Sequence, residues 1–242
     1  MEKEDNAMKI TYWSDYACPY CYIGKARLKK AISEVKAAPE YRGTEFEVEM
    51  KAFQLDPTAG EHATGDTQTR FANKYGISME EAGETIEHIS QMGRDEGLDF
   101  KYATTLFTNT MDAHRLTKLA QSKDSEISEK VEEALYKAYF TENKELADKE
   151  LLRKIGVDCG LDEVDVEEAL SSEKFRDEVI LDEREASRYG IHAVPFFVIG
   201  KNGVSGAQSV NGMKAAIINA LGNNKADKAA GISCGPEGCR IR

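Results

Sequence analysis

The hydrophobic pattern of residues 9–53 predicts a strand, a helix and a second strand. Residues 9–14 and 45–53 alternate apolar and polar side chains, a period of two that is typical of half-buried strands. The apolar face of the second strand consists of Phe46, Val48, Met50 and Ala52. Between the strands, apolar residues recur at helical spacing and predict an amphipathic helix over residues 19–37. Because a helix separates the two strands, the order favours a parallel pair and an α/β fold.

The pattern changes to a succession of helices over residues 56–189. Ser78, with Glu81 three residues on, forms a capping-box sequence at the start of one helix. Further apolar faces with helical period lie in residues 111–121, 127–139 and 175–189. We therefore expect a large, all-helical segment in the middle of the chain.

Strand and turn signals return after residue 190. The apolar run PFFVIG is typical of a short strand, KNG supplies the turn of a tight hairpin, and VSGA is its expected partner strand. A closing helix is expected over residues 213–221. From Gly222 onward the residues are small, polar and rich in glycine, so we expect a flexible extension over residues 222–242.

Composition excludes several classes of partner. The 242-residue chain is 41% hydrophobic, enough for a substantial core, and its formal net charge is -11. An acidic chain without a local basic patch is not expected to bind nucleic acid or an anionic membrane. The first residues lack the apolar stretch of a secretory signal, and no run is long enough to span a bilayer. We expect a cytoplasmic protein.

The sequence CPYC, at residues 18–21, is the strongest chemical signal in the chain. A zinc site would need four Cys or His ligands, and the histidines are scattered singly. A structural disulfide across four residues would constrain the unfolded chain little, and a reducing compartment disfavours it. Redox chemistry fits better, because cysteines three apart on a helix lie close enough to form a reversible disulfide. We therefore expect no metal and no bound cofactor.

The position of CPYC at a helix start assigns different roles to its two cysteines. Free backbone N–H groups and the helix dipole stabilise a thiolate at the cap position, Cys18. Pro19 suits the first helical position. We expect Cys18 to attack a disulfide and Cys21, one turn deeper, to resolve the mixed disulfide.

Taken together, these motifs resemble those of the thioredoxin-fold DsbA-like oxidoreductases. The resemblance rests on CPYC after a strand, the long helical insertion and VPFFV before the late hairpin; NTMDAHRL and the terminal CGPEGC resemble the FrnE-like cytoplasmic branch. It implies a thioredoxin fold built from residues 1–57 and 190–221, interrupted by a helical insertion domain at residues 58–189. It also implies that Pro195 follows a cis peptide bond and faces the cysteines, and that the backbone at Val194 pairs with the substrate.

The activity implied is that of a protein disulfide oxidoreductase or isomerase acting on protein or small-molecule disulfides. DsbA itself has histidine where Tyr20 stands, so Cys18 should be a less stabilised thiolate here. A potential near the glutaredoxin range, about -200 to -230 mV, would leave the pair mostly reduced in the cytosol. Reduction or isomerisation, with thioredoxin or glutathione as electron donor, is then more favourable than bulk oxidation.

Two other functions fit the same pattern. The 2-hydroxychromene-2-carboxylate isomerases are glutathione-dependent and share the insertion, but they carry serine where this chain has Cys18. A redox-regulated binding protein or holdase would use the helical surface to engage clients. Turnover with an electron donor separates an enzyme from such a binder.

Several further residues are candidates for the site. We expect the substrate to contact Pro19, Tyr20, Val194 and His114. Cys234 and Cys239 frame a turn and form a candidate second redox pair. Weaker expectations are an apolar lip at Trp13 and Tyr16, a surface ion pair between Asp112 and Arg115, and a partly buried, unpartnered Cys159.

Overall fold

The structure is a computed structural model that describes the backbone of residues 7–229, 232–235 and 238–241 and the side chains of residues 7–223. The part of the chain expected to form the thioredoxin fold contains a strand, a helix and a strand, followed late in the chain by a hairpin and a helix. These elements are β1 (Met8–Ser14), α1 (Pro19–Ala37), β2 (Phe46–Ala52), β3 (Phe196–Ile199), β4 (Asn202–Ser205) and α9 (Val210–Ala229).

Seven α-helices lie between β2 and β3, as the helical period predicts. They are α2 (Thr67–Tyr75), α3 (Met79–Asp95), α4 (Met111–Lys123), α5 (Ser125–Phe140), α6 (Lys149–Asp158), α7 (Glu163–Ser171) and α8 (Arg176–Arg188). The capping box at the start of α3 is present, with the Ser78 and Glu81 side chains each bonded to the other's backbone. The predicted fold class, a thioredoxin fold with an all-helical insertion, is confirmed.

One four-stranded sheet carries the thioredoxin part, in the order β2-β1-β3-β4. β1 and β2 are parallel, as strand–helix–strand order predicts, and β3 runs antiparallel to both β1 and β4. The sequence places β2 apolar residues on one buried face, yet Val48 is 43% exposed. Because β2 is an edge strand, only its second half, with Met50 and Ala52, is covered.

A large hydrophobic cluster joins the sheet to the insertion. It includes Ile10 of β1, Leu28 of α1, Leu135 of α5 and Ile217 of α9. A buried carboxylate also connects the sheet to the insertion. Asp182 of α8 accepts the Ala52 N–H of β2 at 2.8 Å and pairs with the Lys118 ammonium of α4 at 2.5 Å. The insertion and the sheet therefore share one core.

The C-terminal end differs from the expected flexible extension. α9 continues past residue 221 to Ala229, because the alanines and lysines that follow Asn224 are good helix formers. Two short strands, β5 (Ile232–Gly235) and β6 (Gly238–Ile241), then pair antiparallel, with Cys234 opposite Cys239. The side chains of these two cysteines lie outside the described residues.

Candidate functional site

Cys18 occupies the N-cap of α1, in the turn that follows β1. Its backbone is extended, its side chain makes no capping bond, and Pro19 takes the first helical position. The Cys18 N–H donates to the Asp15 carbonyl, and the Cys21 N–H donates to the Cys18 carbonyl, both at 3.1 Å. The first turn of α1 contains no acidic residue. The Cys18 sulfur therefore lies at the positive end of a helix with no competing carboxylate in that turn.

The two cysteines differ in burial and in acidity. Cys18 is 4% exposed, whereas Cys21 is fully buried, and both are free thiols. Burial raises the pKa of the Cys21 thiol well above its ordinary value, and the charge and hydrogen bond of Cys18 raise it further, while the Ser14 hydroxyl opposes the rise. Cys21 therefore keeps its proton behind the more accessible Cys18.

The loop before β3 closes over Cys18. The peptide bond from Val194 to Pro195 is cis, as the family resemblance implies. The Cys18 Sγ lies 3.5 Å from the Val194 carbonyl oxygen. The Pro195 ring packs on α1 at Gly24, where a Cβ would lie only 3.1 Å from the Pro195 Cγ. The structure thus brings together Cys18, Cys21, Val194 and Pro195.

A pair of buried hydroxyls lies beneath Cys21. Ser14, at the end of β1, and Tyr136, on α5, share a hydrogen bond of 2.5 Å between their hydroxyl oxygens. The Tyr136 ring stacks on that of Tyr22, with centroids 4.8 Å apart. Sequence reasoning missed Tyr136, because in sequence it is an ordinary apolar-face residue of a helix.

A buried ion pair joins the active-site helix to the insertion. The Lys25 ammonium of α1 lies 2.8 Å from a Glu132 carboxylate oxygen of α5, and both side chains are at most 10% exposed. The Tyr12 hydroxyl donates to the same oxygen at 2.8 Å, and the Ser128 hydroxyl donates to the other carboxylate oxygen at 3.2 Å. No sequence signal distinguishes these residues from ordinary surface charges.

His114, a predicted contact residue, lies within the protein and not at its surface. Its side chain is 1% exposed, and its Nε2 is 3.5 Å from an Asp15 carboxylate oxygen. Its imidazole packs on the Tyr16 ring, with centroids 5.0 Å apart. The structure therefore places His114 behind the turn that carries Cys18, and Asp15 is a site residue that sequence reasoning missed.

Tyr20 is the exposed member of the CPYC sequence. Its side chain is 38% exposed, whereas Pro19 is buried. Burial raises the pKa of the Tyr20 hydroxyl, and the charges of Tyr75 on α2 and of Cys18 raise it further. The insertion thus contributes an aromatic side chain near Tyr20, that of Tyr75, which is itself 57% exposed.

The weaker candidates have structural roles. Trp13 and Tyr16 are 2% and 0% exposed and form no lip. Arg115 pairs with Asp112 at 2.6 Å, but it is buried and donates to backbone carbonyls around the end of α7, including that of Lys174 at 2.8 Å. Neighbouring positions of one helix therefore face different ways, His114 toward the cysteine turn and Arg115 away from it.

No helix in the described part of the chain is long and apolar enough to cross a membrane. The same residues contain no group of three or more His, Cys, Asp or Glu side chains arranged to hold a metal ion. The described site consists of thiols, hydroxyls, one imidazole and paired charges.

The fold and the cysteine pair at a helix N-terminus define a thioredoxin-fold protein. A family model, the DSBA-like thioredoxin domain, matches residues 9–218. The chain belongs to this family. Its members act on thiol or disulfide substrates.

Several proteins are similar to this chain in sequence or in fold. A probable DsbA oxidoreductase from Streptomyces coelicolor is 35% identical, with a TM-score of 0.82 over 97% of this chain and 99% of that chain. The cytosolic disulfide reductase DsbM from Pseudomonas aeruginosa shares the fold at 15% identity, with a TM-score of 0.55 and 92% of this chain and 99% of that chain covered. An uncharacterised protein from Bacillus subtilis, YwbO, is 24% identical over 218 residues, 86% of this chain and 94% of its own length.

Proposed function

We propose that this protein is a cytoplasmic thiol–disulfide oxidoreductase of the FrnE-like branch that reduces or isomerises disulfides of proteins or small molecules. The observation that carries the proposal is the asymmetry of the cysteine pair. Cys18 caps a helix and contacts the Val194 carbonyl, while Cys21 is fully buried, with a raised pKa. Such a pair has an attacking thiol and a protected resolving thiol.

The reaction proceeds in two exchange steps. The Cys18 thiolate attacks one sulfur of the substrate disulfide, that S–S bond breaks, and the other substrate sulfur leaves as a thiolate that takes up a proton. Cys21 then loses its proton and attacks the Cys18 sulfur, which releases the second substrate thiol. The oxidised protein is returned to the dithiol by an external thiol donor, for which thioredoxin and glutathione are the proposed classes.

The loop at Val194 and Pro195 is proposed to hold the substrate. The Val194 carbonyl oxygen lies 3.5 Å from the Cys18 sulfur, so an extended segment at this edge would bring its disulfide to the nucleophile. Tyr20, exposed beside Cys18, and Pro19 form the other wall of the proposed contact. His114 is buried behind the turn and is proposed to act from there, not by touching the substrate.

Serine substitution tests the assignment. We expect Cys18→Ser to abolish reduction of a protein disulfide by glutathione or thioredoxin, and Cys21→Ser to accumulate a mixed disulfide at Cys18 that mass spectrometry of peptides detects. Cys159→Ser is the matched control, since this free cysteine lies at the end of α6. Full activity of Cys18→Ser would refute the redox assignment.

The same assay separates the alternatives. An isomerase of the 2-hydroxychromene-2-carboxylate type would need bound glutathione but no electron donor. Its isomerase activity would be retained in the Cys18→Ser variant. A redox-regulated holdase would bind unfolded clients without repeated turnover. Many disulfides reduced per protein molecule would contradict both.

We further propose that Cys234 and Cys239 form a second redox pair that exchanges electrons with Cys18 and Cys21. The backbone register of β5 and β6, with Cys234 opposite Cys239, supports this pairing. Removal of residues 232–242 should slow turnover while leaving the alkylation rate of Cys18 unchanged. Equal rates of both half-reactions in the truncated and full-length proteins would exclude a role for the tail.

A further inference from the structure

His114 has an unusual environment for a buried histidine. Among the described side chains, two buried polar atoms lack a hydrogen-bond partner, and His114 Nε2 is one of them; Tyr139 Oη is the other. The nearest acidic oxygen, on Asp15, is 3.5 Å away, without hydrogen-bond geometry. A buried polar atom left unpaired destabilises the folded protein. The imidazole thus lies next to a carboxylate without a hydrogen bond to it.

Asp15 links this imidazole directly to the nucleophile. Its backbone carbonyl accepts the Cys18 N–H at 3.1 Å. Its carboxylate accepts the Ala17 N–H at 3.3 Å and the Leu55 N–H at 2.7 Å. Asp15 is 1% exposed, so its charge is poorly screened by solvent. The carboxylate therefore fixes the turn into Cys18 and faces His114 at the same time.

Acidic, phenolic and cationic groups lie near this pair. Glu183, on α8, is close enough that the charge of His114 lowers the pKa of this carboxyl, against the larger effect of burial, which raises it. On α5, burial raises the pKa of the Tyr139 hydroxyl, the charge of Arg70 on α2 lowers it, and the Asp15 carboxylate adds a smaller rise. Tyr16 packs on the imidazole ring. The other charges of α4 face elsewhere, Arg115 to Asp112 and Lys118 to Asp182.

We propose that the His114–Asp15 pair takes up a proton when the Cys18–Cys21 disulfide is reduced and releases it on oxidation. The proposal rests on the proposed redox function. Reduction by a thiol donor breaks the S–S bond and delivers two electrons and two protons. Cys21 binds one proton, Cys18 remains a thiolate at the helix N-terminus, and the second proton goes to the imidazole of His114. In the oxidised protein the imidazole is neutral.

Electrostatics gives the direction of this coupling. A thiolate appearing at Cys18 adds a negative charge beside the buried pair, which favours the protonated imidazole. The coupling is reciprocal, so a protonated His114 stabilises the Cys18 thiolate to the same extent. Tyr20 occupies the second middle position of CPYC, so the motif itself has no imidazole. The insertion supplies one, that of His114. His114 is a positioning residue that acts through the turn and its charge.

The most direct test is an NMR titration of the full-length wild-type protein in both redox states. After mass spectrometry has established that the Cys18–Cys21 disulfide forms, we expect the imidazole Cε1–H of His114 to titrate about one pH unit higher in the reduced protein. His62 and His88, which are exposed, should titrate alike in both states. Equal midpoints for His114, or no titration of it between pH 4 and 9 in either state, would overturn the proposal.

A variant series tests the same coupling through the reduction potential. Each proton taken up with the two electrons changes the reduction equilibrium tenfold per pH unit, about 30 mV. Midway between the two His114 midpoints, which lie about one pH unit apart, the wild type should show about one and a half such steps per pH unit, and His114→Gln only one; Asp15→Asn should reduce the slope similarly. His62→Gln, on the surface of the insertion, is the matched control.

The two variants need a check on folding, which circular dichroism and thermal unfolding provide. An unchanged slope in a folded His114→Gln protein would contradict the proposal. If His114→Gln fails to fold, the wild-type titration decides alone. A wild-type protein that shows the His114 titration shift but does not turn over disulfides would refute the proposed function and leave this proposal standing.

Discussion

The two cysteines of one motif receive opposite properties from their immediate surroundings. Cys18 has the free N–H groups of α1 and no acid in the first turn. Cys21 is fully buried and relies on the Ser14 hydroxyl to offset part of the desolvation that raises the pKa of its thiol. Resolution of a mixed disulfide requires the Cys21 thiolate, so the Ser14 hydroxyl should set the rate of the second step.

Removal of this hydroxyl gives the first prediction. Ser14→Ala should raise the pKa of Cys21 further, because a hydrogen bond that stabilises the thiolate is lost, and about 1.5–3 kcal/mol is typical of a bond to a charged group. We expect the mixed disulfide to resolve roughly tenfold more slowly or worse, measured by quenched-flow alkylation.

Ser122→Ala is the control, since this serine is exposed on α4 and donates to the Leu119 carbonyl. The loss of the Ser14 hydroxyl also leaves Tyr136 without its 2.5 Å partner, so thermal unfolding should be recorded in parallel. If Ser14→Ala resolves at the wild-type rate, Ser14 does not assist Cys21.

At the scale of elements, α1 and α5 are joined by two ion pairs in different environments. Lys25 and Glu132 are at most 10% exposed, whereas Lys29 and Glu129, each one turn away on the same helix, are 71% and 54% exposed. The same two helices thus contain a buried pair and its surface counterpart. This arrangement offers a matched comparison.

We expect Glu132→Gln to cost about 3–5 kcal/mol of unfolding free energy, because Lys25 would remain as a buried, unpaired charge. Glu129→Gln should cost less than about 1 kcal/mol, as is typical of exposed pairs. Urea unfolding of both variants measures the difference. Equal destabilisation by the two substitutions would show that burial does not govern this contact.

The local elements of the fold could be predicted from sequence, because they depend on period, caps and turns. The range of α1, residues 19–37, and the capping box of α3 are confirmed. The strand β2 is also confirmed, but its local pattern does not show which half of its apolar face is covered, since that depends on its position at the sheet edge. α9 is longer than expected. The residues after Gly222 are small and polar, which is typical of a flexible extension, but several of them are also good helix formers.

At the scale of the whole molecule, the site depends on partners that are far apart in sequence. Tyr136 meets Ser14 across 122 residues, and Glu132 meets Lys25 across 107. His114 and Asp15 are also brought together only by docking of the insertion on the sheet. Local sequence patterns do not indicate such contacts. The position of CPYC at a helix start could therefore be predicted from sequence, whereas its buried surroundings could not.

The shared core predicts a steep loss of stability in alkali. Burial raises the pKa of Tyr12, Tyr16 and Tyr136 well above the ordinary value of 10.0. Above about pH 10 the unfolded chain releases these protons while the folded chain holds them, so unfolding becomes more favourable by about 1.4 kcal/mol per pH unit for each tyrosine. Their contribution is fully present below that pH.

Denaturant unfolding of the oxidised protein between pH 8 and 11.5 measures this effect without a contribution from free Cys18 and Cys21. Tyr189→Phe, at a 66% exposed position, should leave the alkaline slope unchanged. A stability that stays constant from pH 9 to 11.5 would mean that these hydroxyls ionise as freely in the folded protein as in the unfolded chain.

The central claim is that Cys18 and Cys21 form a reversible redox pair, and its most direct test is equilibration of the protein in a series of glutathione redox buffers. Thiol alkylation and peptide mass spectrometry then give the fraction of protein with the Cys18–Cys21 disulfide at each ratio. We expect a two-electron transition with a midpoint near the glutaredoxin range, about -200 to -230 mV. Two free thiols at every ratio, or a disulfide that joins either cysteine only to Cys159, would contradict the account.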